Sequence, residues 1–405
     1  MLTPEYLQRI TEGAEEISSS LHRNIMDMII ERIMKRLGRG EDYLLTQTDR
    51  WQIQVLQESG ELLEDIQKEI ADKTKLQQKE IKDAFIDAGI TSLKWDDAVY
   101  IAAGLTPTAL MQSPTMLRIL ERDYLATAGE WNNFTRTTAL DAQRTFINNA
   151  YHLVSTGAVS YTQAVRDVIN NITEVGLKVN YPTGYRMSIE SATMMIVRTG
   201  VGQAAADISM KRMEEMNWDT VLVSAHLGAR TGNGGMNPGN HLWWQGRFYS
   251  RSGKDKRFQD FVKTTGFGTG EGLCGWNCRH SFGSGDGVNN PYDDKKINFA
   301  DNHKVEELQK KQREQERRIR DTKRKIQNLQ TAVDNCKDDK ARFELQNMLD
   351  RKAHTLKLQN KRYSTFCEEN DLREYAERLK VAQWDRKQAM KSAAAARRYE
   401  SAKKS

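Results

Sequence analysis

The chain's 405 residues exceed what one ordinary core accommodates. With 38% apolar and 29% charged residues and a mean hydropathy of −0.71, much of it must be solvent-facing helix or loop rather than dense interior. No stretch approaches the roughly 18 consecutive apolar residues of a membrane span, the first ten residues lack the basic and apolar blocks of a signal peptide, and four cysteines are too few for a disulfide scaffold, so the expectation is a chain made in the cytosol. The formal charge of +6 is unevenly spread. Residues 301–405 hold 28 Lys plus Arg against 18 Asp plus Glu, a net +10, which leaves −4 on residues 1–300. An acidic partner, nucleic acid or protein, is therefore expected for the C-terminal tail.

Residues 1–180 read almost wholly as helix. Thr3, Pro4 and Glu5 supply an N-cap, a proline at the first helical position and an acid near the positive helix end. Tyr6, Ile10, Ile17, Leu21, Ile25, Met28, Ile29, Ile33 and Leu37 then recur mostly at steps of three and four, a single buried stripe stopped by Gly38-Arg39-Gly40. A second helical stretch is predicted from about Leu62 to Ala88, with Gly89 as its stop. Pro107 and Pro114 each stand where a new helix can begin, and Asp141–Leu153 and Thr162–Ile172 continue the pattern. Nothing here carries a catalytic signature. The expectation is an extended helical region whose polar faces meet water or a partner.

Composition changes after Gly176. Residues 181–290 hold 18 of the 27 glycines, three of the seven histidines and two of the four cysteines, and read as a small mixed α+β domain. Ser188 opens a helix to about Met216, and Asp219–His226 reads as a strand with Val221, Val223 and Ala225 on one face. Leu242–Ser250 is a second strand candidate, joined to the first by the glycine-dense Arg230–Gly239. From Asp301 to Ser405 there is no glycine or proline. Val305, Ile319, Ile326 and Val333, with Leu308 and Leu329, form one heptad seam, and Leu345, Leu349, Leu356, Tyr363 and Phe366 form another. The polar Asp334–Lys340 between them predicts a coiled-coil hairpin of two antiparallel helices. The fold class expected is α+β in three regions: helical 1–180, mixed 181–290 and a basic helical tail 301–405.

Cys274, Cys278 and His280, with His226 and His241 upstream, are the tightest set of metal-ligating residue types. Thiolate and imidazole suit tetrahedral zinc, and His226, Cys274, Cys278 and His280 are the candidate ligands. The three-residue gap between the cysteines departs from the common knuckle, which leaves buried or hydrogen-bonded side chains as the alternative. Ser224 and His226 share a strand face but have no third triad member and no nucleophile elbow. Gly266–Gly272 lacks the Gly-Lys-Ser/Thr ending of a phosphate loop. Trp243, Trp244, Gln245, Gly246, Arg247 and Phe248 offer aromatic and cationic surface for nucleic acid or, alternatively, core. In the tail, Arg317, Arg318, Lys323, Arg324, Lys325, Arg397 and Arg398, with Lys403-Lys404, are candidates for phosphate contacts.

The series Tyr181-Pro-Thr-Gly184-Tyr-Arg186, Val197-Arg198-Thr199-Gly200, Val223-Ser224-Ala-His226-Leu-Gly228-Ala-Arg230, Trp244-Gln245-Gly246 and Gly272-Leu-Cys274-Gly-Trp-Asn277-Cys278-Arg279-His280-Ser-Phe282 closely resembles the phage minor capsid protein 2 family. That family occurs in tailed phages and prophages and looks related to the Mu-type (MuF-like) head morphogenesis proteins. The resemblance is specific over 181–285 and looser elsewhere. It implies a low-copy structural protein of the virion head, made in the host cytoplasm and associated with the portal protein, the capsid and packaged DNA; the +10 charge of the tail adds the expectation that double-stranded DNA is bound without sequence preference. Some relatives carry toxin domains, but this chain ends in helix instead, so no enzyme is expected. The alternative is a metal-dependent hydrolase or nuclease built on the His/Cys cluster, which a nearby acidic ligand or base would favour.

Overall fold

The computed structural model describes residues 1–37, 49–155, 161–181, 183–293 and 297–403, so the predicted stop at Gly38–Gly40, Pro182 of the Tyr181 motif and Lys404 lie outside the described residues. The architecture is mostly helical, with helical N-terminal and C-terminal regions and a small mixed α+β part between them. By its internal contacts the chain forms two compact units. One gathers Met1–Glu15, Lys75–Asn132 and Ser191–Lys310, and the other gathers Glu16–Thr74, Asn133–Glu190 and Lys311–Ser405.

The N-terminal helices follow the sequence signals with two differences. Thr3 caps α1 (Pro4–Arg9), its hydroxyl oxygen accepting from the Tyr6 N–H at 3.1 Å. A turn at Ile10 and Thr11 separates α1 from α2 (Glu12–Leu37), so the apolar stripe is carried by two helices rather than one. The second predicted helix does not stop at Gly89: α3 runs from Asp49 to Ala102. Gly89 sits where its missing Cβ would come within 3.1 Å of the Ile208 and Leu110 side chains, which makes it a packing glycine inside a helix rather than a cap. Pro114 opens α4 (Pro114–Ser155), as expected, whereas Pro107 lies in the preceding loop. The helix α5 (Tyr161–Val175) follows, and the two-stranded ribbon of β1 (Val179–Asn180) and β2 (Arg186–Met187) leads into α6 (Ile189–Glu215).

The first unit is organised by a four-stranded sheet. Its order is β5-β4-β3-β6, from β3 (Thr220–Val223), β4 (Phe248–Ser250), β5 (Gln259–Asp260) and β6 (Phe282–Ser284). The central β3 runs antiparallel to both neighbours, pairing Val221 with Tyr249 and Leu222 with Gly283. Ala206 and Met213 of α6 pack with Val221, Val223, Tyr249 and Phe282 of the sheet in one buried cluster. At the β6 edge, Asp96 accepts the Ser284 N–H at 2.7 Å and Trp95 donates to the Ser284 carbonyl at 3.1 Å. The second strand proves shorter than predicted. His241–Trp244 forms the helical turn α7, and only Phe248–Ser250 pairs. The chain then makes the short helix α8 (Phe261–Thr265), capped by Asp260 accepting from Lys263 at 2.9 Å.

In the second unit the tail forms α9 (Asn302–Asn335), which starts in the first unit, then α10 (Asp339–Glu369) and α11 (Arg386–Ala402). The helices α9 and α10 run antiparallel. Tyr363 donates to Glu316 at 3.2 Å and Gln312 to Cys367 at 3.4 Å, with Asp338 capping α10 through the Ala341 N–H at 2.7 Å. Ile319, Ile326, Leu329, Val333, Leu345, Leu349, Leu356 and Tyr363 of the predicted seams are all buried. The third helix was not predicted. Ser392, Ala395 and Ala396 bring α11 close against α10, and Arg398 grips Asp350 through two bonds of 2.7 and 2.9 Å.

Candidate functional site

The residues of the middle-domain motifs gather in one place, where the end of β3, the turn α7 and the segment before β6 meet. Ser224 lies just beyond β3. Its hydroxyl oxygen accepts the Ser281 N–H at 2.9 Å and its own N–H donates to the Ser281 carbonyl at 2.9 Å, which leaves it a buried linker of two backbones. Trp244 is fully buried and donates from its indole to the Pro238 carbonyl at 2.9 Å, so it belongs to the core. Trp243, Arg247 and Phe248 instead line an open cleft of about 880 Å³. Gln245 is buried and its side-chain oxygen accepts twice, from the His226 N–H at 3.1 Å and facing His280 Nε2 at 2.8 Å. Gly246 follows with φ +68°.

A second group ties this lobe to the start of α9. Asn302 exchanges two 2.9 Å bonds with the backbone of Ala229, and Thr231 donates to Glu306 at 2.8 Å. Arg279 donates to Gln309 at 3.1 Å and, at 3.4 Å, to the Gly228 carbonyl. Gly228 has φ +74°, a backbone that favours glycine, and a Cβ there would push aside the end of the Gln309 side chain 2.8 Å away, which Arg279 holds. Arg230 donates to the Glu271 carbonyl at 2.8 Å and reaches His241 Nε2 at 2.7 Å. On α6, Arg198 is buried and donates to Gln8 at 3.1 Å, with Thr199 beside it. Asn277 is exposed and sits at φ +53°, turning the chain between the buried Cys274 and Cys278.

The sulfur and nitrogen atoms of this lobe converge on His280. Among the described residues, His241, Cys278 and His280 form a buried set whose donor atoms lie within 4.8 Å of one another. Of the four ligands read from sequence, Cys278 and His280 are in this set. His226 stacks its ring on His280 with centroids 4.4 Å apart, its Nδ1 facing the Leu227 carbonyl at 2.9 Å. Cys274 directs its sulfur at the His280 carbonyl, 3.9 Å away. His241, which the sequence places 37 residues before Cys278, is brought in by α7, whose helical turn the strand reading missed. Burial first, then Arg279, holds His226 down at about 4; burial and then Arg230 do the same to His241, also at about 4. Burial likewise holds His280 well below the usual imidazole range and pushes both thiols up.

The tail residues read as phosphate contacts divide into two sets. Lys323 donates to the Leu379 carbonyl at 2.7 Å, Arg324 pairs with Glu190 at 3.1 Å, and Lys325 pairs with Glu174 at 2.7 Å. Arg398 is engaged by Asp350 as described above. Arg317, Arg318 and Arg397 have exposed side chains, with Arg318 also bonded to Glu314.

This is a mostly helical protein with a small sheet, and the residues of its motifs tie separate backbone segments together. The model of the phage minor capsid protein 2 family matches residues 2–388, and the chain belongs to that family. No curated protein and no solved structure matches it. No helix among the described residues is long and apolar enough to cross a membrane.

Proposed function

We propose that this chain is a low-copy component of the phage head that works at the portal vertex, bridging the portal and capsid proteins to the packaged DNA. The observation that carries this reading is the family match, which spans all three regions of the chain rather than one motif. The build of the molecule supports it. Helices of up to 54 residues offer extended polar faces for a protein partner, and the net charge of +10 on residues 301–405 suits a polyanion. In this reading Arg198, Thr199, Ser224, Gly228, Arg230, Trp244, Gln245, Gly246, Asn277 and Arg279 keep the middle lobe rigid, and Arg317, Arg318 and Arg397 are the tail cations that reach phosphate.

The hydrolase alternative needs an acidic ligand or base beside the histidines. Among the described residues no Asp or Glu joins the His241, Cys278 and His280 set, and all three side chains are buried. The test is mass spectrometry of purified phage particles together with co-purification of the portal protein. The expected result is a few copies per particle and a portal complex that survives gel filtration. Absence from particles, with no portal complex, would overturn the reading.

A further inference from the structure

Two segments far apart in sequence bring a triangle of soft and borderline donor atoms together in the core. His241 Nδ1 and His280 Nδ1 are 3.3 Å apart, and Cys278 Sγ lies 3.8 Å from the first and 3.7 Å from the second. Around a tetrahedral zinc ion with bonds of ~2.05 Å to nitrogen and ~2.3 Å to sulfur, two nitrogens stand ~3.3 Å apart and a nitrogen and a sulfur ~3.6 Å apart. The triangle matches these edges to within about 0.2 Å.

The outer nitrogens fit as well. His280 Nε2 is 2.8 Å from Gln245 Oε1, and that atom is fixed as the oxygen because the His226 backbone N–H also donates to it at 3.1 Å. His280 therefore carries its proton on Nε2 and turns the Nδ1 lone pair into the triangle. His241 Nε2 is 2.9 Å from the Glu271 carbonyl, which accepts only, so the same tautomer follows there. Ligating histidines are ordinarily oriented by such oxygens. Without a cation, two lone pairs would face each other beside one thiol proton.

The competing arrangement uses Arg230, 2.7 Å from His241 Nε2, as a donor to that ring and places a proton between the two Nδ1 atoms. It is the weaker account. The 3.3 Å separation is long for an N–H···N bond, and the arrangement sets an unprotonated His241 Nε2 against the Glu271 carbonyl oxygen 2.9 Å away, where the other tautomer would donate. The Cys278 sulfur, for its part, accepts the His280 backbone N–H at 3.4 Å, a bond that favours a thiolate.

We infer that His241 Nδ1, Cys278 Sγ and His280 Nδ1 bind a divalent transition cation, zinc by the softness of the donors, which staples α7 to the segment preceding β6. The staple sits where Gly266–Gly275 folds tightly on itself: a Cβ on Gly275 would stand 2.3 Å from the Gly270 carbonyl oxygen. The full chain, purified without chelator from zinc-supplemented cells, is assayed for metal by inductively coupled plasma mass spectrometry and, after exchange, titrated with cobalt(II). The expected result is one zinc per chain and, in the cobalt form, a tetrahedral visible spectrum with a thiolate-to-cobalt charge-transfer band. In Cys278→Ser that band disappears and zinc affinity falls at least tenfold. Less than a tenth of a zinc per chain under these conditions overturns the proposal, and so does a wild-type cobalt form without the thiolate band. Because the wild-type spectrum decides alone, failure of the Cys278→Ser chain to fold leaves the test intact.

Discussion

At the scale of single residues, the middle lobe rests on side chains that satisfy backbone groups nothing else can reach. Gln245 is the clearest. Its oxygen serves the His226 N–H and His280 Nε2 inside a buried environment, so Gln245→Ala strands two donors at once. The expected loss is about 2–6 kcal/mol, since each of the two buried donors left without an acceptor costs about 1–3 kcal/mol. A thermal or denaturant melt of the full chain measures it, and a change under 0.5 kcal/mol would show that water replaces the amide. Gly228→Ala is expected to be destabilising as well, because it combines a left-handed backbone with a Cβ driven into Gln309. Its readout is loosening of the Arg279 and Asn302 contacts to α9, seen as faster amide exchange at Ala229, whose N–H Asn302 accepts. These roles were only half legible in the sequence. The motifs marked the right residues, but no spacing rule distinguishes a glutamine that holds two segments together from one that faces solvent.

At the scale of elements, the seams of the tail and the capped start of α1 were readable because heptad spacing and capping chemistry are local. Three features were not. Gly89 looked like a stop because a helix has no local use for glycine, whereas its use here is close packing against Ile208 and Leu110. Leu242–Ser250 looked like one strand because aromatic residues favour strands, yet α7 lets Trp244 enter the core and turns His241 toward His280. The helix α11 was hidden because its contact face is alanine and serine, which carries almost no hydrophobic signal. The ion pairs that lock elements together were also invisible. Glu190 is fully buried; burial alone would raise its carboxyl, but Arg324 and His22 outweigh that and hold it well below the usual carboxylate range. A depressed carboxyl contributes stability that is present above the unfolded value near 4.5 and is lost as pH falls through the folded value. Glu190→Gln is therefore expected to cost about 3–5 kcal/mol at pH 7, because Arg324 is left buried without its counter-charge, and to cost progressively less below pH 4.5. Melts of both chains from pH 7 to pH 3 check it, and a difference independent of pH would assign the loss to packing instead.

At the scale of the whole molecule, each compact unit draws on three separated stretches of chain, an arrangement that composition cannot reveal because composition changes along the chain and not through space. Charge, by contrast, is readable from sequence, but the structure changes which charges count. The net +10 of residues 301–405 includes Lys323, Arg324, Lys325 and Arg398, all held by internal partners, so their cost of release opposes binding to phosphate. Arg317 and Arg397 remain exposed and offer guanidinium groups at little cost, and Arg318, exposed too, need only give up a surface pair with Glu314. If the tail meets DNA, these three carry a disproportionate share. Binding of the full chain to duplexes of unrelated sequence should be equal at a given salt and weaken steeply as salt rises. The triple change Arg317→Ala, Arg318→Ala and Arg397→Ala should lower the slope of log affinity against log salt by about 2 to 3, since each phosphate contact contributes about 0.9. Arg398→Ala should instead leave the slope nearly unchanged and reduce thermal stability, because its loss frees Asp350 rather than a phosphate. Fluorescence anisotropy across a salt series separates the two outcomes. Equal slopes for the wild type and the triple variant would show that these arginines make no phosphate contact, and absence of binding at low salt would leave an acidic protein surface as the polyanion the tail meets.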